Sequence, residues 1–209
     1  MKHLLTIADL TPQEVRRVLD LAVQLKEEWK AGGNRPILAN KTLGMIFQKP
    51  SLRTRVSFEM AMRHLGGHAL YLSPDEIQLG KRESVADVAR VLSRYVDGIM
   101  ARVFRHSHLE ELAAHSRVPV INGLSDFSHP CQAFGDMLTI LEHKGRLQGL
   151  RLAYVGDGNN VAVSLMFASA KLGLRMALAC PEGYEPPQKA VEIARAAAVD
   201  GATLEITHD

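Results

Sequence analysis

The stretch Thr42-Leu43-Gly44-Met45-Ile46-Phe47-Gln48-Lys49-Pro50-Ser51-Leu52-Arg53-Thr54-Arg55 contains the change of pattern from which the fold is read. Thr42 to Phe47 is short, apolar and uncharged, which predicts a buried strand. Gln48-Lys49-Pro50 breaks it, and a helix is expected from Ser51 to about Leu65, closed by Gly66-Gly67. A helix N-terminus presents unpaired N–H groups and about half a positive charge, so this junction is a ready anion site. Ser51 and Thr54 add hydroxyl donors, and Arg53 and Arg55 add planar forks suited to phosphate. Arginines sit badly in a first helical turn because the dipole repels them there, and a bound anion resolves that conflict. The plainer alternative is a serine-capped helix carrying two solvated arginines.

Working outward, the same alternation continues in both directions. Upstream, Thr11-Pro12-Gln13-Glu14 is a capping box, followed by Val15, Val18, Leu19, Ala22 and Leu25 at helical spacing up to Gly32-Gly33. Downstream come a strand at 68–73, a polar loop at 74–83 and a helix from a second capping box, Ser84 and Asp87, to Tyr95. Strand 98–104, helix 108–115, strand 118–123 and helix 130–143 follow. Gly145 and Gly149 mark a seam, beyond which strand 150–155, helix 161–172, strand 175–179, helix 187–198 and strand 203–207 are expected. Strands alternating with helices of this length imply an α/β protein, with helices on both faces of a parallel sheet and right-handed crossovers. Residues 1–145 read as a complete domain, and 146–209 as the beginning of a second, similar one.

Two further polar groups fall at predicted strand ends, where ligands gather in open parallel sheets. His129-Pro130-Cys131-Gln132 follows strand 118–123: His129 can donate to a carbonyl oxygen, and Gln132 can both accept from and donate to an amide. Its plainer reading is a pair of helix caps. Arg102, near the end of strand 98–104, adds a guanidinium at the same sheet edge. Gly156-Asp157-Gly158-Asn159-Asn160-Val161 invites a dinucleotide reading, but Val161 replaces the third glycine and only Glu182 approximates the acidic ribose ligand. The asparagine pair instead suits an amino-acid substrate.

Composition narrows the class further. The 209 residues are 46% hydrophobic and 23% charged, with 25 Lys and Arg against 23 Asp and Glu, a net charge of +2. That balance argues against a nucleic-acid surface, so any anion site is built locally. The most apolar stretch, 161–170, is interrupted by Ser164 and Ser169 and falls well short of the ~20 residues of a membrane span. Leu4 and Leu5 are followed by Asp9, leaving no signal-peptide core. Cys131 and Cys180 stand far apart and outside any C-x-x-C, so neither a disulfide framework nor a zinc site is indicated. A cytoplasmic protein is expected.

Phe47-Gln48-Lys49-Pro50-Ser51-Leu52-Arg53-Thr54-Arg55-Val56-Ser57-Phe58-Glu59 resembles the carbamoyl phosphate signature of the aspartate/ornithine carbamoyltransferase family. His129-Pro130-Cys131-Gln132 resembles that family's His-Pro-x-Gln motif. Gly156-Asp157-Gly158-Asn159-Asn160 and Gln78-Leu79-Gly80-Lys81-Arg82-Glu83-Ser84 are similar to its ornithine branch. The resemblance implies carbamoyl transfer from carbamoyl phosphate to the δ-amine of ornithine, giving citrulline and phosphate in arginine biosynthesis. It implies direct attack by the neutral amine, with no cofactor, metal or covalent enzyme intermediate. By family position, Ser51, Leu52, Arg53 and Thr54 hold the phosphate, with Leu52 standing where many relatives have threonine. Arg53, Arg102 and His129 are the implied catalytic residues, Arg102, His129 and Thr54 polarising the carbamoyl oxygen. Pro130 and Cys131 line the carbamoyl phosphate site, and Gln132 orients the carbamoyl NH₂. Gln78 matches a residue lent to a neighbouring subunit, which implies a homotrimer or trimer-based assembly, and Asn160 is the implied ornithine ligand. The family's later Asp-x-x-x-Ser-Met-Gly and His-Cys-Leu-Pro segments are absent, so a C-terminally truncated member is expected. Its alternatives are a sibling enzyme using putrescine, acylated ornithine or aspartate, or a non-catalytic anion-binding fragment.

Overall fold

In the computed structural model, residues 2–209 are described. They pack into two compact units, one of Lys2–Leu5 and Gln24–Asp126, the other of Thr6–Val23 and Phe127–Asp209. The helix α1 (Pro12–Lys30) contributes residues to both. Its capping box forms: Thr11 N–H donates to the Glu14 carboxylate at 2.8 Å, and Glu14 N–H donates back to Thr11 Oγ1 at 3.2 Å.

The first unit holds a parallel sheet of order β2-β1-β3-β4, formed by β1 (Thr42–Phe47), β2 (His68–Leu72), β3 (Gly98–Arg102) and β4 (Val120–Leu124). Its helices are α2 (Leu52–His64), α3 (Pro74–Ile77), α4 (Val85–Leu92) and α5 (His106–His115). β1 shows why the sheet is covered twice. Leu43, Met45 and Phe47 pack with Met62 of α2 and Met100. Ile46 faces the other way, into Val85 and Val88 of α4 and Leu109 and Leu112 of α5. Each large side chain so buried contributes about 1.5–3 kcal/mol. Gly44 is what lets α4 approach, since a Cβ there would lie 3.2 Å from the Leu92 side chain.

The second unit holds β5 (Arg151–Val155), β6 (Arg175–Ala179) and β7 (Thr203–Thr207), parallel and in that order, with α6 (Pro130–Lys144), α7 (Asn160–Leu172) and α8 (Gln188–Ala196). Every residue of α7 from Ala162 to Leu172 is buried, including Ser164, Ser169 and Lys171. Lys171 Nζ donates to the carbonyls of Ala8, at 2.6 Å, and of Leu10, tying this helix to the short 3-10 turn Ile7–Asp9.

The alternation read from the sequence is the observed one, with local departures. Residues 74–83 are not wholly loop: Ser73 caps α3, accepting from Glu76 N–H while the Glu76 carboxylate accepts from Ser73 N–H. Ser84 caps α4, but Asp87 accepts from the Ser84 hydroxyl rather than from its N–H, so the expected box is only half formed. That helix stops at Leu92, and Ser93 to Tyr95 continue as a turn. β3 ends at Arg102 rather than 104, where its register with β4 shifts.

Candidate active site

Two cations and two hydroxyls converge where β1 leads into α2. Phe47, the last residue of β1, lies opposite Arg102, the last of β3. The Gln48 N–H then donates to the Arg102 carbonyl at 2.9 Å, which holds the following turn against the end of β3. Ser51 caps α2 with extended backbone, φ −160° and ψ 115°. Its Oγ accepts from Thr54 N–H at 3.3 Å and donates to Thr54 Oγ1 at 3.0 Å. Arg102 Nη1 donates to the same Thr54 oxygen at 3.4 Å.

The electrostatics of this turn lack a counterion. The first turn of α2 has no acidic residue. Neither Arg53 nor Arg102 forms an ion pair among the described residues. The Arg102 Nε is buried without a hydrogen-bond partner. Burial, and then the Arg53 charge, pull the Arg102 pKa below its ordinary value. A cation partly stripped of water beside another cation and a helix N-terminus is a place where an anion is stabilised.

The two arginines of the turn do not share one role, as the sequence reading had allowed. Arg55 Nε donates to Glu59 at 2.8 Å, and its guanidinium lies 4.0 Å from the Tyr71 ring centroid. Both arginines are exposed, but Arg53 has no such side-chain partner among the described residues. Leu52 is 78% exposed, but as the first helical residue it offers an N–H with no intrahelical acceptor. Gln78 ends α3 in the left-handed region (φ 46°, ψ 51°), is exposed, and donates to the Asp75 carbonyl at 3.5 Å. The loop behind it is anchored by Gln48, whose Nε2 donates to the Leu79 carbonyl at 3.0 Å and whose Oε1 accepts from Phe104 N–H at 3.1 Å.

The remaining candidates belong to the other unit. His129 occupies the N-cap of α6 without a side-chain capping bond, and Pro130 follows, buried, in the first turn. Gln132 donates to Asp136, one turn along, at 2.8 Å. Neither side chain caps the helix, so the plainer reading of this motif does not account for them. Cys131 is half-buried, and desolvation pushes its thiol up to about 12. Asn159 and Asn160 differ in duty: Asn159 Oδ1 caps α7 by accepting from the N–H groups of Val161 and Ala162, while Asn160 is the first helical residue.

Gly158 explains the glycine-bearing turn. A Cβ there would lie 2.1 Å from Pro186 N, and Gly158 N–H donates to the Tyr184 carbonyl at 2.6 Å. The close approach that a dinucleotide fingerprint reserves for a diphosphate is taken here by the chain's own segment 184–186. Ser128, Ser164 and Gln48 are functional candidates that the sequence reading missed. Gln48 entered as a strand breaker and within the quoted signature, without a role, and Ser164 only as an interruption in an apolar run.

The fold and the turn define a parallel α/β protein with a cationic, hydroxyl-bearing helix N-terminus at a strand end. Residues 2–142 match the aspartate/ornithine carbamoyltransferase carbamoyl-P binding domain, and residues 148–209 match the aspartate/ornithine-binding domain of the same proteins. The chain belongs to the aspartate/ornithine carbamoyltransferase family. Along all 209 residues it is 56% identical to the ornithine carbamoyltransferase of Pyrococcus abyssi, covering 66% of that protein. Against the solved ornithine carbamoyltransferase of Pyrococcus furiosus the TM-score is 0.97 at 56% identity, covering the whole chain and 67% of that structure. The Thermus thermophilus enzyme gives 0.90 at 47%, over the whole chain and 69% of that structure. The chain thus spans about two thirds of the length of the curated relatives it matches. No described helix is long and apolar enough to cross a membrane.

Proposed function

We propose that this chain is the carbamoyl phosphate domain and the opening of the amino-acid domain of an ornithine carbamoyltransferase, with the boundary near 145–146. Its reaction joins the carbamoyl group of carbamoyl phosphate to the δ-amine of ornithine, giving citrulline and phosphate for arginine biosynthesis. The observation that carries this reading is the cationic turn: Arg53 and Arg102, without acidic partners, beside Ser51, Thr54 and an open helix N-terminus. It supports assigning Ser51, Leu52, Arg53 and Thr54 to the phosphate.

Arg53, Arg102 and His129 are proposed as catalytic. As charge builds on the carbamoyl oxygen during attack by the amine, fixed donors stabilise it, and one such donor is worth about 2.7–4 kcal/mol. Arg102 and His129 supply them with Thr54. Gln132 orients the carbamoyl NH₂, with Pro130 and Cys131 beside it, and Asn160 takes the ornithine main chain. The Cys131 thiol, held protonated, is unsuited to covalent catalysis, in keeping with direct attack. The exposed Gln78 is proposed to serve a neighbouring subunit's site in a cytoplasmic homotrimer.

Calorimetry with carbamoyl phosphate and with inorganic phosphate tests the reading. Carbamoyl phosphate is expected to bind more tightly. Equal affinity for the two would leave only a phosphate-binding module.

A further inference from the structure

Between the His129 and Asn160 motifs lies one buried hydroxyl. The Ser164 Oγ, on α7, accepts from the main-chain N–H of His129 at 2.8 Å and donates to the Asn160 carbonyl at 2.8 Å. The Ser128 hydroxyl stands 3.2 Å from it, and Ser128 and Ser164 are both fully buried. One oxygen therefore joins the N-cap of α6 to the first turn of α7. We propose that Ser164 is a positioning residue, setting the His129 main chain against the start of α7 and so fixing where the His129 ring and the Asn160 amide are delivered. The inference rests on the carbamoyltransferase reading and deepens it.

Three observations support this role over simple core filling. A serine inside a helix often satisfies itself by donating to the carbonyl four residues back, as Ser164 does, and nothing further is required of it. Here the same oxygen also accepts an N–H from 35 residues earlier, at the N-cap of α6, a position with no side-chain capping bond. Removing the hydroxyl would take the Ser164 acceptor from that part-buried N–H. Second, α7 carries its own control: Ser169 is 2% exposed on the same helix, and its hydroxyl has no partner. Third, the joined residues are the two that the reading assigns to the carbamoyl oxygen and to ornithine, so a displacement of either is costly to orientation.

The test compares Ser164→Ala, Ser164→Cys and Ser169→Ala in the 209-residue chain. Inorganic phosphate is the probe for the Ser51–Thr54 turn, and carbamoyl phosphate the probe for that turn and His129 together. Ser164→Ala is expected to leave phosphate affinity unchanged and to weaken carbamoyl phosphate roughly tenfold, the scale of a lost buried hydrogen bond. Ser164→Cys, a weaker acceptor of similar volume, is expected to fall between, and Ser169→Ala to match the parent on both probes. The His129 ring resonances are expected to shift in Ser164→Ala and stay in place in Ser169→Ala. Equal losses on both probes, or equal effects of the two alanine variants, would overturn the positioning role. A parent chain that does not prefer carbamoyl phosphate would instead overturn the underlying reading, and the His129 resonances would then decide the Ser164 role alone.

Discussion

Arg102 Nη1 donates to Thr54 Oγ1 at 3.4 Å, and this contact connects the end of a central strand to the first turn of a helix. The same guanidinium keeps a buried Nε without a protein acceptor, and the Arg53 charge acts on it unfavourably. An arginine so placed costs folding energy in the empty protein, and an anion returns it. Arg102→Leu is therefore expected to leave the chain folded, at equal or greater stability, while weakening carbamoyl phosphate by about 1.5–3 kcal/mol, the scale for a hydrogen bond to a charged group. Arg53→Ala is expected to weaken it on the same scale. Arg55→Ala, whose side chain is committed to Glu59 and Tyr71, is expected to change affinity little. Calorimetry on the three variants checks the ranking, and an equal loss for Arg55→Ala would refute it.

The cysteines are expected to be inert in the folded chain. Burial holds the Cys131 thiol up at about 12 and also raises that of Cys180. At pH 8 the Cys131 thiolate fraction is then on the order of 10⁻⁴, and the thiolate is the reactive form. Iodoacetamide at pH 8 is expected to label neither residue rapidly until denaturant is added. Cys131→Ser is expected to bind carbamoyl phosphate nearly as the parent does. Rapid native labelling at Cys131, read by mass spectrometry, would contradict both statements.

Much of this was legible beforehand, for reasons that particular residues make plain. Thr42–Phe47, Arg175–Ala179 and Thr203–Thr207 appear with the bounds read from the sequence, because glycine, proline or charged residues lie within three positions of each end. The turn after β1 was legible because arginines in a first helical turn contradict the dipole. Helix α3 was not found, although Ser73-Pro74-Asp75-Glu76 spells a capping box, because a four-residue helix has no apolar periodicity to reveal it. The differing duties of Arg53 and Arg55 depend on Tyr71, a partner from β2. Ser164 was out of reach for the same reason: its significance comes from a contact across 35 positions.

Acid is expected to weaken the start of α1. The Glu14 carboxyl is lowered from 4.5 to about 2, chiefly by the Thr11 N–H that it accepts. A carboxyl with a depressed folded pKa stabilises fully above its unfolded value and loses that contribution as pH falls through the folded one. The Glu14 contribution is thus complete above about pH 4.5 and gone near pH 2. The difference in urea midpoint between the parent and Glu14→Gln is expected to be constant from pH 7 to 5 and to shrink below that. A difference that grows on acidification would contradict the assignment.

Gly158→Ala is expected to destabilise the second unit. Its Cβ would lie 2.1 Å from Pro186 N and 2.5 Å from the Glu185 carbonyl carbon, both main-chain atoms that cannot rotate away. The segment 184–186 must move, at about 1–3 kcal/mol by analogy with overpacked cores. A lowered melting temperature, with increased proteolysis near Tyr184, is the expected result. An unchanged melting temperature would show that the segment does not hold the turn as described.

A polypeptide of these 209 residues is expected to bind carbamoyl phosphate yet to form little or no citrulline. The groups proposed for the phosphate are held by β1, α2 and β3, in a unit with core on both faces of its sheet. The chain covers only 66% of its Pyrococcus abyssi relative, and its match to the amino-acid domain comprises residues 148–209. Within that region β5 and β7 are the edges of a three-stranded sheet, and Val155 on β5 is 84% exposed. Exposed apolar edges invite association, so reduced solubility is also expected. Transfer needs ornithine held in a near-attack geometry, which can supply about 7–11 kcal/mol of the barrier. Asn160 is the one residue here assigned to that task, and one amide cannot fix a flexible diamino acid. Citrulline formation at about 10 per second, the median for enzymes, by protein of verified intact mass would show that these residues suffice.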